Sequence, residues 1–318
     1  MATRIIHDFK ELINPLTNPV LTIGNFDGVH KGHLVLFDKV KKRAQAINGQ
    51  SAVMTFEPHP VKVIKPGNGP LLITPTRQKL SLISDSGIDV IFCIPFTHQF
   101  ATISAQDFVM DILVKTIGIK EIVVGHDYTF GNKRQGNLDL LKKMGNESGF
   151  KVHIVEPVYI DKTLVSSTSI RRLVAEGDLS EAKRLLGRDY QITGTVVKGK
   201  DRGGKVLGIP TANIKAVDEL IPRKGTYVVS VELDDRYYVG VCNIGHNPTF
   251  GENALSIETH VLDFSGDILG KTITVIFIQR LRDEKRFANV QELKEQISLD
   301  IEKARELFNL HEKNQKFN

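Results

Sequence analysis

The stretch Gly24-Asn25-Phe26-Asp27-Gly28-Val29-His30-Lys31-Gly32-His33 decides the fold of the first half of the chain. It follows a short apolar strand pattern, Val20–Ile23, and precedes a helical pattern that we predict over 33–48. Main-chain N–H groups at a helix start attract anions, and the two imidazoles add donors for phosphate oxygens. Gly32 lets a nucleotide approach the backbone closely. The stretch therefore predicts a site that stabilises charge on a reacting phosphate.

Two other interpretations of the histidine pair stay open at this point. Histidines three residues apart can form half of a zinc site, although no third ligand cluster is visible in the sequence. They can also be plain surface residues. The glycine-rich context in front of them favours the phosphate site.

Strand and helix patterns alternate through the first half of the chain. We expect strands at 52–56, 88–94, 121–125 and 151–155, and a helix at 104–117. The strands are almost continuously apolar, which is typical of a parallel sheet that is buried on both faces. The sequence therefore predicts an α/β domain over residues 1–186.

The second half, residues 187–318, has a different pattern. Short runs rich in Val, Ile, Thr and Tyr, separated by turn signals, predict a compact antiparallel barrel or sandwich. A long amphipathic helix from Val290 closes the chain, with Ala304 and Phe308 on its apolar stripe. The expected strands are 191–197, 226–233, 236–244, 255–264 and 272–279.

Composition excludes several classes of protein. The chain has 318 residues, of which 41% are hydrophobic and 25% are charged, as in ordinary globular proteins. A net charge of +5 without a Lys/Arg run suits anionic ligands and does not demand nucleic acid. The N-terminus lacks the apolar core of a signal peptide, and no apolar run approaches a membrane span. We expect a cytoplasmic protein in which Cys93 and Cys242 are buried thiols.

A second group of phosphate ligands is expected in Val165–Arg172. The hydroxyls of Ser167 and Thr168 can cap the following helix and also meet phosphates, and Arg171 supplies a fork of donors. Alone, this segment reads as an ordinary helix cap with a basic residue. Together with the histidine stretch it indicates a two-sided phosphate clamp.

The second half carries its own candidate site. Thr211 and Asn213 lie two residues apart in an extended segment after a glycine-rich turn, so both can serve a hard cation such as Mg²⁺. Glu258 lies within an apolar strand pattern and is a candidate base for a hydroxyl nucleophile. The alternatives are a plain glycine turn for the first feature and a solvent-facing glutamate for the second. The charged run Leu281–Phe287, seen alone, is a solvated turn.

The first-half motifs resemble the nucleotidyltransferase superfamily. More narrowly, they resemble the adenylyltransferase module of bacterial bifunctional riboflavin kinase/FAD synthetases, which Thr55–Pro60 and Gly125–Gly131 also match. The resemblance implies a Rossmann-like domain in which FMN attacks the α-phosphorus of ATP, with Mg²⁺, to give FAD and pyrophosphate. It makes His30 and His33 the catalytic pair. The implied ATP and phosphate ligands are Gly24, Phe26, Asp27, His30, Gly32, His33, Ser167, Thr168 and Arg171, and the implied flavin ligands are Phe56, Pro58, His59, Pro60 and Asp127.

From about Gly187 onward the chain resembles the riboflavin kinase module of the same family. The resemblance implies that Glu258 is the base that activates riboflavin for phosphorylation by ATP, which gives FMN and ADP. Thr211 and Asn213 are the implied ligands of Mg²⁺ and ATP. Gly199 and Lys205 are further implied ATP ligands, and Arg282 and Glu284 border the flavin. Lys205 departs from the arginine that is usual in bacterial members, and this change loses a bidentate fork.

Three alternatives to a bifunctional enzyme stay open on the sequence. The protein could be an FMN adenylyltransferase whose kinase domain is weak or silent. Lys205 is the only residue that favours this alternative. It could be a flavin- or nucleotide-binding regulator without turnover. A nucleic-acid-binding protein is poorly motivated, and we expect small-molecule partners and no membrane. The sequence leaves a transient oligomer open.

Overall fold

The chain folds into two compact units, Met1–Ser167 and Thr168–Asn318. The structure is a computed structural model that describes residues 2–199, 211–217, 219–246, 255–285 and 287–316. Among these residues, no helix combines the length and the apolar character needed to cross a membrane. Cys93 and Cys242 are both buried free thiols, as predicted.

The first unit is built on a six-stranded parallel sheet in the order β1-β4-β3-β2-β5-β6. The chain moves outward on one side of β2 through β3 and β4, then crosses to the other side at β5. β2 and β5 therefore flank the switch point at which ligands bind in open α/β sheets. The strands are β1 (Arg4–Ile6), β2 (Val20–Ile23), β3 (Ser51–Glu57), β4 (Val90–Pro95), β5 (Glu121–Gly125) and β6 (Lys151–Val155).

Both faces of this sheet are buried, which explains the continuous apolar strands. Leu21 and Met54 belong to one hydrophobic core, whereas Val20 and Val53, one residue earlier on the same strands, belong to the other. The predicted parallel sheet is confirmed. The edge strand β1 was not predicted, because three residues are too few to show a periodic pattern.

Helices cover the sheet, and two of them differ from the prediction. The helix predicted over 33–48 is α1 (Lys31–Ala46), which begins earlier because His30 caps it. The helix predicted over 104–117 starts as α5 (Ala105–Asp107) and continues as a π-helical segment, Phe108–Ile117. The other elements of this unit are α2 (Pro60–Ile64), α3 (Thr76–Asp85), α4 (His98–Ala101), α6 (Leu138–Ser148) and the hairpin β7 (Tyr159–Ile160) with β8 (Thr163–Leu164).

The second unit is a closed antiparallel barrel in the order β10-β13-β12-β11-β14-β9, so the barrel alternative is confirmed over the sandwich. The strand predicted to reach Phe264 ends at Val261, before a turn. The elements are α7 (Ser167–Glu176), α8 (Leu179–Leu186), β9 (Tyr190–Val197), β10 (Ala212–Lys215), β11 (Gly225–Leu233), β12 (Arg236–His246), β13 (Leu255–Val261), β14 (Thr272–Arg282) and α9 (Val290–Lys316).

Helix α9 packs on the strands β11, β12 and β14 of the barrel. Ala304 of its predicted apolar stripe is fully buried, whereas Val290 at its start is exposed. The same helix buries Asp300, a charged residue. An ion pair with Arg282 of β14 accounts for that burial.

Candidate active sites

His30 and His33 lie at the carboxyl end of β2, where the loop turns into α1. Nδ1 of His30 accepts a hydrogen bond from the main-chain N–H of His33 at 3.3 Å, and Nδ1 of His33 accepts from the N–H of His30 at 3.4 Å. The two rings stack with their centroids 3.5 Å apart. Because both Nδ1 atoms act as acceptors, the neutral form of each ring carries its proton on Nε2. Both imidazoles are therefore prepared as Nε2–H donors.

Close packing around these rings fixes the loop. The ring of Phe26 meets that of His33 edge-on, with centroids 5.1 Å apart. A Cβ atom at Gly24 would lie 2.9 Å from the ring of Phe26, and one at Gly32 would lie 3.2 Å from the ring of His30. The two glycines therefore leave the space in which the aromatic and imidazole rings sit.

Asp27 is buried, and its carboxylate accepts hydrogen bonds from the protein backbone. The N–H groups of Ile73 and Thr74 each lie 3.0 Å from Oδ1 of Asp27. The hydroxyl of Ser167 donates to the main-chain oxygen of Asp27 at 2.8 Å. This bond ties Ser167 to the histidine loop, and its contact with phosphate stays a prediction. Thr168 and Arg171 follow Ser167 on α7, and their part in the clamp stays a prediction.

The end of β3 together with the turn into α2, residues 56–60, reaches the same edge of the sheet because the strands are parallel. Its His59 is buried and caps α2, with Nδ1 accepting from the N–H of Val61 at 3.3 Å. Pro58 is exposed and Pro60 begins α2. Asp127, just beyond the end of β5, is exposed at 82% of its side chain. The structure therefore brings this loop and Asp127 to one edge, and their predicted contacts with flavin stay predictions.

A chain of aromatic rings begins at Phe56, and three of its members, Phe56, Phe108 and Phe130, are buried in the hydrophobic core. Each ring centroid in the chain lies between 5.6 and 6.2 Å from the next. The sequence interpretation did not include most of these residues, because the ring contacts join segments that are distant in the chain. The consecutive rings are Phe56, Phe100, Phe108, Phe130 and Tyr128, with Phe96 against the first two.

In the second unit, polar residues form one row across five neighbouring strands. Each member is the direct cross-strand partner of the next, so their side chains point to the same face of the barrel wall. Flanking residues such as Ala212 and Ile257 are buried, whereas most members of the row are only half-buried, so the row lies on the outer face. In order across the strands the row is Asn213, Glu258, Asn243, Thr226 and Arg282.

Gly199, which lies against the amide of Asn213, and Thr211 help to line a cavity of about 360 Å³. A side chain at Gly199 would collide with the amide of Asn213. Apolar residues such as Phe264 and Leu269 form another part of the wall. Polar side chains beside an apolar wall suit a nucleotide, because its phosphates are polar and its base is largely apolar.

A second cavity, of about 530 Å³, is lined in part by Leu255 and by Asp283 and Glu284, which follow Arg282 in the chain. Glu284 packs its carboxylate directly against Gly245, where no Cβ would fit. Arg282 donates from Nη2 to the carboxylate of Asp300 at 2.7 Å. Much of its guanidinium is therefore engaged with α9.

The row contains two residues, Asn243 and Thr226, that the sequence interpretation did not place in the site. The hydroxyl of Thr226 lies 3.4 Å from Oδ1 of Asn243, which is the cross-strand partner of Glu258. Only the strand register shows the place of Asn243 beside Glu258. Lys205 lies in 200–210, outside the described residues.

Comparison with known proteins gives two family matches. FAD synthetase matches residues 13–169 and riboflavin kinase matches residues 186–308. A "Bifunctional riboflavin kinase/FMN adenylyltransferase" of Buchnera aphidicola subsp. Acyrthosiphon pisum is 37% identical over 97% of this chain and 98% of its own length. The protein of that name from Escherichia coli (strain K12) is 38% identical, over 96% and 97%.

A solved structure is similar over almost the whole chain. Its title is "Crystal Structure of Macrolide-efflux Protein from Streptococcus pneumoniae", and its sequence is 34% identical to this one. The TM-score is 0.84, and the likeness covers 96% of this chain and 99% of the other.

Proposed function

This chain belongs to the family of bifunctional riboflavin kinase/FMN adenylyltransferases, and from that membership we propose which residues carry each of its two reactions. The enzyme phosphorylates riboflavin with ATP to give FMN, and it adenylylates FMN with ATP to give FAD and pyrophosphate. The observation that carries this conclusion is that two family matches cover two separate units, each with its own candidate site.

In the first unit, an oxygen of the FMN phosphate attacks the α-phosphorus of ATP. A new P–O–P bond forms, and the bond to the bridging oxygen of the β-phosphate breaks, so pyrophosphate leaves with the electron pair. Nε2–H of His30 and of His33 would donate to phosphate oxygens as negative charge redistributes in the transition state. Ser167, Thr168 and Arg171 would close over the phosphates, and Asp27 holds the loop through its backbone bonds.

Flavin would bind along the aromatic edge of the same sheet. A planar ring system packs well beside aromatic side chains, and the half-buried rings of Phe96, Phe100 and Tyr128 pack against the buried ones. Pro58, His59 and Pro60 continue the loop, and Asp127 is exposed at the neighbouring strand end. This placement is supported by the meeting of the two loops at the carboxyl edge.

In the second unit, the terminal ribityl hydroxyl of riboflavin attacks the γ-phosphorus of ATP, and ADP leaves. Glu258 would accept the hydroxyl proton as the new P–O bond forms. It stands in the middle of the polar row, between the cavity at Gly199 and the cavity at Glu284. We assign ATP to the first cavity, with Lys205 as a further ligand, and flavin to the second, with Arg282 at its border.

Mg²⁺ would be held beside Glu258. The Thr211 hydroxyl and the Asn213 amide are oxygen donors, which suit a hard cation, and Asn213 is the cross-strand partner of Glu258. The donor set therefore fits the ion. When bound, Mg²⁺ would neutralise charge on the phosphates of ATP.

We place the kinase module at residues 187–318 and the adenylyltransferase module at residues 1–186. The two family matches, which end at 169 and begin at 186, support this division, whereas the first compact unit of the structure ends earlier, at Ser167. We further propose a cytoplasmic enzyme whose partners are its small-molecule substrates, with neither nucleic acid nor membrane among them. The modest net charge of +5 supports that choice.

A time course tests the function. The purified protein is incubated with riboflavin, ATP and Mg²⁺, and the flavins are separated by chromatography. We expect FMN first and FAD afterwards. If riboflavin is not converted but added FMN yields FAD, the kinase unit is silent, and if neither product forms the proposed function is wrong.

A further inference from the structure

Lys79, on α3, is buried although it carries an ammonium group, with only 6% of its surface exposed. Its Nζ donates to the main-chain oxygen of Phe56 at 3.1 Å, and this is its one hydrogen bond to a described residue. Burial lowers its pKa, while the carboxylates of Glu57 and Asp27 act in the opposite direction. A buried charge is costly to keep, so a lysine at this position needs a compensating role.

The segment 73–79 around this lysine is bonded to both loops of the adenylyltransferase site. At its beginning, the N–H groups of Ile73 and Thr74 bind the carboxylate of Asp27, in the histidine loop. The hydroxyl of Thr74 also accepts from the N–H of Gly28 at 3.0 Å. One short segment thus fixes the loop that carries the histidine pair.

The end of the same segment is bonded to the flavin-side loop, residues 56–60. The hydroxyl of Thr76 donates to the carboxylate of Glu57. Lys79 then holds the main-chain oxygen of Phe56, the residue at which the chain of aromatic rings begins. Both contacts come from α3 and bind the last two residues of β3, where the flavin-side loop begins.

We propose that Lys79 is a positioning residue for FMN adenylylation, which sets the flavin-side loop by its bond to Phe56. The inference rests on the proposed binding of FMN along this loop. A hydrogen bond from a charged donor is stronger than a neutral one, and the apolar surroundings strengthen it further. Because Phe56 O belongs to the loop and not to the phosphate site, the effect falls on FMN and not on ATP.

The test compares Lys79→Met with Lys115→Met. Methionine matches the length of lysine without its charge, and Lys115 is an exposed lysine of the same unit, with 68% of its side chain accessible. Initial rates of FAD formation are measured while FMN and ATP are varied in turn. We expect Lys79→Met to raise the KM for FMN about tenfold and to leave the KM for ATP within about twofold. Lys115→Met should change neither constant.

Thermal unfolding of the same variant proteins reports on the folding of the mutated unit, and their riboflavin kinase activity, which belongs to the other unit, should stay unchanged. Thr76→Val provides a second variant, since it removes the neighbouring bond to Glu57. We expect it to raise the KM for FMN in the same direction but by less. If Lys79→Met proves insoluble, Lys79→Gln, which is neutral and too short to keep the same bond to Phe56, is measured in its place.

Unchanged KM values for FMN in the soluble variants would overturn the role of Lys79. So would equal increases in both KM values, or a fall in kcat alone, since these indicate a merely structural residue. A wild-type protein that forms no FAD from FMN would instead refute the proposed function, which separates the two failures.

Discussion

His30 and His33 cap each other: Nδ1 of each imidazole accepts a hydrogen bond from the main-chain N–H of the other. The arrangement joins two roles in the same side chains. One ring nitrogen completes the start of α1, and the other carries a proton toward the edge where phosphates are expected. The helix cap therefore determines the tautomer that the chemistry requires.

A substitution can separate these two roles. Asparagine at position 30 offers Oδ1 close to where Nδ1 of histidine lies, so it should keep the cap but lose the reach of Nε2. We expect His30→Asn to lower the rate of FAD formation at least about 100-fold with little loss of thermal stability. His30→Ala should lose both. Near-normal FAD formation by His30→Asn would show that this imidazole does not act on the phosphates.

The second unit permits the complementary experiment. Glu258→Gln removes the proposed base without changing the size of the side chain, and we expect FMN formation to fall at least about 100-fold. Adenylylation of added FMN should continue. Glu232→Gln, on strand β11 of the same barrel, is the matched control. Normal FMN production by Glu258→Gln would exclude this carboxylate as the base.

Asn243 is predicted to matter although the sequence interpretation did not select it. It lies between Glu258 and Thr226 on the polar row, so its amide can hold the carboxylate or the substrate hydroxyl in place. We expect Asn243→Ala to lower kcat for FMN formation about tenfold, in line with the loss of one hydrogen bond to a charged group. Thr226→Val should have a smaller effect in the same assay. Unchanged kcat in both variants would remove these residues from the site.

Glu219 should make the second unit less stable at alkaline pH. Burial raises the pKa of its carboxyl from 4.5 to about 7, and the N–H of Thr193 is its hydrogen-bond donor. Because the pKa of Glu219 is higher in the folded state than in the unfolded state, its protonated carboxyl contributes fully to the free energy of unfolding below about pH 4.5. This contribution is lost as the pH rises through about 7. The free energy of unfolding falls by a total on the order of 3 kcal/mol.

Glu219→Gln keeps the acceptor oxygen but cannot ionise. Urea unfolding of this unit should show the variant more stable than the wild type at about pH 8.5 and equally stable at about pH 4.5. If the variant and the wild type differed in unfolding free energy by the same amount at both pH values, ionisation of Glu219 would not be the cause of the alkaline destabilisation.

Five of the six strands of the parallel sheet, β2 to β6, could be predicted from sequence because burial on both faces leaves a continuous apolar pattern. The β2, β5 and β6 strands begin and end where the pattern placed them. The terminal helix was predictable for the same kind of reason, since its apolar stripe has a period of 3.6 residues.

The partners of individual side chains could not be predicted in this way. The polar row depends on the register of five strands, and register is set by contacts between distant segments. The burial of Lys79 and of Asp300 is likewise invisible to periodicity, because charged residues on amphipathic helices usually face solvent. Asp27 was expected to meet phosphate, and its backbone partners, Ile73 and Thr74, lie more than forty residues away.

The most direct test of two separate sites on one chain uses two variants, His30→Asn and Glu258→Gln, with riboflavin, ATP and Mg²⁺. Alone, His30→Asn should stop at FMN, and Glu258→Gln should leave riboflavin unchanged. An equimolar mixture of the two should make FAD, because each variant supplies the step that the other lacks. FAD from Glu258→Gln alone, or loss of FMN formation in His30→Asn, would contradict the account.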